Sequence, residues 1–165
     1  MSNILIIKHG SLGDIVQISG ALLDIRCHFK NKKIYILTTP KYKNLFKTCP
    51  YVDDVLIDKR LPRWNFFYLL NLIKDIRKLN FENCFDLQNS SRTDFYRKNF
   101  KIKSWSSSVT TLKKGETKKT FDQNGVIERF KIQLERSGIS NTNNVLKPDF
   151  SWAIDQNFDV NEQRY

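Results

Sequence analysis

Ile4-Leu5-Ile6-Ile7-Lys8-His9-Gly10-Ser11-Leu12-Gly13-Asp14-Ile15-Val16-Gln17-Ile18 decides how this chain is read. Four consecutive apolar residues closed by a polar, glycine-containing segment describe a buried strand running into a tight turn. From Asp14 the pattern becomes helical: Ile15, Ile18, Leu22 and Ile25 recur at spacings of three, four and three and line one face. A strand passing through a glycine turn into an amphipathic helix opens a β-α unit.

The succession repeats outward from that opening. Ile34 to Thr38 reads as a second strand stopped by Pro40, Lys41 to Lys47 as a short helix, and Val55 to Ile57 as a third strand. Phe66 to Leu79 is amphipathic at helical period, with Phe66, Leu69, Leu70, Ile73 and Ile76 as its apolar set, and Glu82 to Leu87 follows as a strand. Strands alternating with helices predict a parallel sheet with helices on its faces, an α/β fold. Beyond Leu87 the pattern is weaker. Asp94 to Lys98 is expected to be helical, Phe100 to Ser104 a strand, Ser106 to Gln123 a polar loop, and Val126 to Ser137 a helix ended by Gly138.

The 165 residues carry 28 Lys+Arg against 17 Asp+Glu, a net charge of +11, and are 40% hydrophobic with 6 Gly and 4 Pro. That composition excludes collagen-like, low-complexity and disordered chains. No apolar run reaches the roughly 18 residues of a membrane helix. Ile4 to Ile7 is too short for a signal sequence and has no basic segment before it, so a cytoplasmic location is expected. Cys27, Cys49 and Cys84 are odd in number, widely spaced and outside any CxxC pair, which predicts reduced, buried thiols. With only His9 and His28 as imidazoles, no metal site is expected. The positive charge favours a polyanionic partner without choosing among nucleic acid, acidic lipid and phosphorylated sugar.

The first turn is the richest in chemistry. It lacks the lysine and spacing of a phosphate-binding Walker loop and the third glycine of a dinucleotide fingerprint. Its GxxG spacing resembles the KH loop, but Asp14 directly after Gly13 would repel a nucleic-acid backbone, so nucleic acid is not the expected partner. Asp14 sits where the helix begins. It is either an N-cap or a carboxylate placed at the ligand-binding edge of the sheet to act as general base. Asp86 and Gln88, at a strand end, read first as partners for local backbone groups. The aromatic residues Trp64, Phe66, Phe67 and Tyr68 read as core packing, with a membrane interface as the sharper alternative.

Taken together, Ile4 to Leu22 resembles the opening of the family 9 glycosyltransferases, the ADP-heptose:lipopolysaccharide heptosyltransferases. Thr38-Thr39-Pro40, Leu45-Phe46 and Pro50 to Leu56 are similar to that family's second β-α unit, and Phe85 to Thr93 to its Asp-x-Gln-Gly segment, with Glu128-Arg129 in the last helix. Asn89 stands in place of the family's glycine, which a left-handed backbone would accommodate. The resemblance implies a Rossmann-like parallel sheet with flanking helices, the N-terminal half of a GT-B fold. Residues 1–147 would form the acceptor-side domain and 148–165 a tail or the start of a donor-binding domain.

The resemblance further implies inverting transfer of a sugar, with Asp14 as catalytic base and Ser11 and Gly13 shaping the loop around it. Lys41, Lys43, Arg92 and Arg129 would bind an anionic lipid A-type or glycan acceptor. No cofactor is implied. The nucleotide-sugar donor, ADP-heptose in that family, would be bound mainly by a domain absent here or by a separate chain. The place of action would be the cytoplasm, with a peripheral position on the inner membrane. The competing reading is a non-catalytic basic module that binds anionic glycolipid or nucleic acid.

Overall fold

A computed structural model describes residues 2–153. Five parallel strands form one sheet in the order β3-β2-β1-β4-β5. They are β1 (Asn3–Ile7), β2 (Ile34–Thr38), β3 (Asp54–Ile57), β4 (Phe81–Asp86) and β5 (Ser104–Ser106). The helices are α1 (Leu12–His28), α2 (Lys43–Lys47), α3 (Phe66–Lys78), α4 (Ser91–Phe100), α5 (Lys118–Phe121) and α6 (Val126–Arg136). This is the expected Rossmann-like α/β arrangement.

The pleat sorts β1 between two cores. Ile4 and Ile6 point to one face, where Ile15, Ile18, Leu22 and Ile25 of α1, Phe46 of α2, and Phe130 and Leu134 of α6 cover them. Leu5 and Ile7 point to the other, beneath Leu69, Leu72 and Ile76 of α3 and Tyr96 and Phe100 of α4. Burial on both faces explains why the strand is continuously apolar. The segment after α6 is tied back by Asp24, whose buried carboxylate accepts from the Asn144 side chain at 2.6 Å and the Val145 amide at 2.9 Å. Phe150, Trp152 and Ala153 pack onto the α1/α6 core. The remainder of the 148–165 segment, 154–165, lies outside the described residues.

Several expectations shift. The buried face of α3 is Leu69, Leu72 and Ile76, whereas Phe66 and Leu70 point outward, because the helix is rotated from the orientation its apolar spacing alone favours. Trp64 and Phe67 are exposed too, so the core reading of that aromatic cluster fails for all but the half-buried Tyr68. The strand expected from Phe100 begins instead at Ser104. Phe100 stays helical, its ring stacked 4.8 Å from that of Tyr96 one turn earlier, and Lys101 ends α4 in the left-handed region at φ 59°. Within the expected loop from Ser106 to Gln123, Lys118–Phe121 forms a short helix. Cys49 and Cys84 are buried as expected, but Cys27 is exposed on the last turn of α1.

Candidate active site

In a parallel sheet all carboxyl ends lie along one edge, and here each of β1, β3 and β4 leads directly into titratable side chains there: Lys8 and His9, Asp58, and Asp86. Gly10 turns the chain after β1 at φ 119°, and a Cβ on it would come within 2.2 Å of the Tyr42 ring. Only glycine meets both conditions. The N-cap of α1 is Ser11, not Asp14. Asp14 is the third helical residue, and its Oδ2 accepts from the Ser11 amide at 2.7 Å and the Ser11 hydroxyl at 3.1 Å. One carboxylate oxygen is thus spent on the helix start. Oδ1 has no hydrogen-bond partner among the described residues.

Asp14 lines a pocket of about 220 Å³ together with Lys8, Gln88, Asn89, Lys118, Asp122 and Arg129. Lys8 is nearly sealed from solvent, donates to the Leu87 carbonyl at 3.1 Å and lies 5.6 Å from the Phe130 ring centroid. Burial pulls its pKa below the ordinary lysine range, while the charges of Asp14 and Asp86 push the other way. Arg129 donates to Asp122 at 3.0 Å, and Lys118 pairs with the same carboxylate. The Nε–H of Arg129 has no acceptor among the described residues.

Asn89 adopts φ 51°, a left-handed conformation in which asparagine can take the place of glycine, and lines the pocket. Its amide donates to Gln133 at 3.1 Å, and its oxygen accepts from the Ser108 amide at 2.6 Å. Asp86 accepts from the Gln88 and Asn89 amides at 3.0 and 2.9 Å, and Gln88 accepts from the His9 amide at 3.0 Å, so both serve local backbone groups. Burial pushes the Asp86 carboxyl up to about 6 against those hydrogen bonds.

A second cluster sits beside this pocket, around Asp58. Its fully buried carboxylate accepts from Tyr68 at 2.5 Å, Tyr96 at 2.6 Å and the Arg60 amide at 2.7 Å. His9 Nε2 lies 3.1 Å away and Arg92 Nε 3.3 Å. Burial alone would raise this carboxyl, but the His9 ring beside it and the hydrogen bonds from Tyr68, Tyr96 and the Arg60 amide outweigh it and hold it well below the usual range.

The expected site residues therefore divide. Asp14, Ser11, Gly13 and Arg129 converge: Ser11 holds Asp14, Arg129 shares its pocket, and Gly13 leaves the first helical turn bare, a Cβ there meeting nothing within 4 Å. Arg92 is turned inward to Asp58, the Tyr96 hydroxyl at 2.5 Å and the Leu61 carbonyl at 2.8 Å. Lys41 and Lys43 are exposed after β2, outside the residues lining the pocket. Sequence reading missed Lys8 and Lys118 as site residues. Lys8 carried a usable signal, a lone charge continuing a fully buried strand; Lys118 lies in a polar stretch and carried none.

No family model matches this sequence, and no curated protein matches it. Solved structures do. A family 9 glycosyl transferase from Veillonella parvula superposes with a TM-score of 0.67 at 15% identity, over 87% of this chain and 43% of that one. This chain shares the fold of part of that glycosyltransferase. E. coli heptosyltransferase WaaC, solved with ADP-2-deoxy-2-fluoro heptose, gives 0.59 at 16% identity over 91% of this chain and 52% of its own. E. coli ADP-heptose LPS heptosyltransferase II gives 0.55 at 14% over 64% and 30%. The chain thus spans between 30 and 52% of these glycosyltransferases, and it shares their fold at low identity.

Proposed function

We propose that this chain is the acceptor-side part of an inverting glycosyltransferase, with Asp14 as the general base. The observation that carries the reading is the state of Asp14: one oxygen is fixed by Ser11, the other has no partner among the described residues, and the group lines a pocket with Lys8, Lys118 and Arg129. A carboxylate held in that way can accept the proton of an acceptor hydroxyl as its oxygen attacks the anomeric carbon. The new C–O bond forms on the opposite face from the nucleoside diphosphate, which leaves with the electrons of the old one. The cations favour an acceptor bearing phosphate or carboxylate, such as a lipid A-type core glycan, and the Nε–H of Arg129 is a donor that an oxyanion would satisfy.

The pocket, about 220 Å³, is smaller than the roughly 300–1,000 Å³ of sites enclosing a drug-sized ligand. That size suits one sugar ring or phosphate, and the nucleotide-sugar falls mainly to a second unit under this reading. Calorimetry on this chain tests the division. A phosphorylated Kdo-glycan should give saturable heat that Arg129→Ala weakens and Asp14→Asn preserves, while ADP should give none at millimolar concentration. Micromolar ADP binding would place the donor site here and overturn the reading.

A further inference from the structure

Trp64, Phe66, Phe67 and Leu70 are 78, 70, 85 and 63% exposed, the largest concentration of bare apolar side chains among the described residues. Phe67, Leu70 and Lys74 recur at spacings of three and four and occupy the outer side of α3, away from the buried Leu69, Leu72 and Ile76. The charge is of one sign as far as Lys74, the exposed Asp75 beyond it pairing with Lys78. From Lys59 through Lys74 the sequence has no acidic residue, while Lys59, Arg60, Arg63 and Lys74 are exposed and free of ion pairs among the described residues.

The segment carrying these residues is fixed from beneath. Asp58 receives the Arg60 amide and the Tyr68 hydroxyl, which in turn accepts from the Lys59 amide at 2.8 Å, and Arg92 holds the Leu61 carbonyl. A buried network thus anchors both ends of the stretch from Lys59 to Tyr68 while its aromatic residues stay in water. Because this stretch joins the end of β3 to the start of α3, it lies on the carboxyl edge, as the Asp14 pocket does.

We propose that this face docks on an anionic bilayer, with Trp64, Phe66, Phe67 and Leu70 entering the headgroup boundary and Lys59, Arg60, Arg63 and Lys74 meeting acidic headgroups. The pairing of aromatic residues with unopposed lysines selects this occupant: interfacial membrane helices combine the two, whereas protein interfaces, which accept aromatics and arginine, are depleted of lysines such as Lys59 and Lys74. The proposal stands apart from the transfer reading, since it concerns a surface and not the chemistry at Asp14.

Co-sedimentation with vesicles of phosphatidylglycerol and phosphatidylcholine in equal parts, against phosphatidylcholine alone, tests it on the full chain. The anionic vesicles should bind at least tenfold more protein, with blue-shifted emission that Trp64→Phe removes. Phe67→Ser with Leu70→Ser should weaken partitioning at least about tenfold, and Arg63→Gln about fivefold at low salt. These side chains support no core, so unchanged thermal melting should accompany the loss. Failure of the wild type to bind anionic vesicles, or binding that ignores the apolar variants, overturns the proposal. So does reversible dimerisation, abolished by the same double variant without any vesicle binding, which would assign the face to a second copy.

Discussion

Asp58 and Asp14 stand on the same edge of one sheet, both at the start of connections leaving a strand, and the protein uses them oppositely. Asp58 is surrounded by donors on every side: two tyrosine hydroxyls, a backbone amide, an imidazole and a guanidinium. Asp14 has only Ser11, through one oxygen, and lines a pocket. A carboxylate whose lone pairs are all taken organises structure and cannot take up a proton at neutral pH. One left half-coordinated beside cations is available to a ligand. Saturation, and not burial or charge alone, separates the architectural group from the chemical one.

The comparison breaks most easily on stability. Removing a buried carboxylate that faces a guanidinium strands the cation, so Asp58→Ala should lose about 3–5 kcal/mol in urea denaturation at pH 7. Asp14→Ala, losing only a helix-start contact, should lose about 1 kcal/mol. Equal losses would erase the distinction.

Acid sharpens it next, because Asp58 and Asp86 are shifted in opposite senses. The depressed Asp58 contributes stability that is present above its unfolded pKa and lost as pH falls through its folded one, so acid unfolding should set in below about pH 4. Asp86, raised to about 6, is buried charged above that pH at a cost of about 3 kcal/mol. Stability should therefore rise as pH drops from 7 toward 5, before the Asp58 loss begins. Asp86→Asn should flatten the rise alone, and Asp58→Asn should blunt the acid loss. Exposed carboxylates add little to either limb, being screened.

The smallest contrast concerns two arginines. Arg129 shares the pocket with Asp14, whereas Arg92 is turned toward Asp58. Arg129→Ala should weaken a phosphorylated glycan about tenfold. Arg92→Ala should change that affinity less than twofold and instead lower the melting temperature. The reverse result would move acceptor binding to the Asp58 side of the edge.

The fold was legible because β1 and β2 are near-continuous apolar runs, β3 is a short apolar segment between turn residues, β4 follows the amphipathic period of α3, and Ile15, Ile18, Leu22 and Ile25 all proved buried. Asn89 meets the condition under which it can stand in place of the family's glycine, since its backbone is left-handed. What escaped was tertiary. Local period cannot tell which side of α3 meets the sheet when Phe66, Leu70 and Leu72 are all apolar, so the exposed aromatic face was assigned to the core. Nor does sequence show that His9 and Asp58, 49 positions apart in the chain, meet past the end of β2, which lies between their two strands. Asp14 lines the pocket at the turn, but the helix starts one turn earlier than the sequence pattern suggested, because Ser11 caps as readily as aspartate does.

The central claim is that Asp14 removes the acceptor proton, and transfer by this chain with a donor-binding glycosyltransferase unit supplied tests it most directly. Asparagine keeps an oxygen for the Ser11 amide but cannot accept a proton at neutral pH. Asp14→Asn should therefore lower turnover by about 10²–10⁴-fold, with acceptor affinity and melting temperature nearly unchanged. Turnover equal to that of the wild type would contradict the account and leave Asp14 as a helix-start residue only.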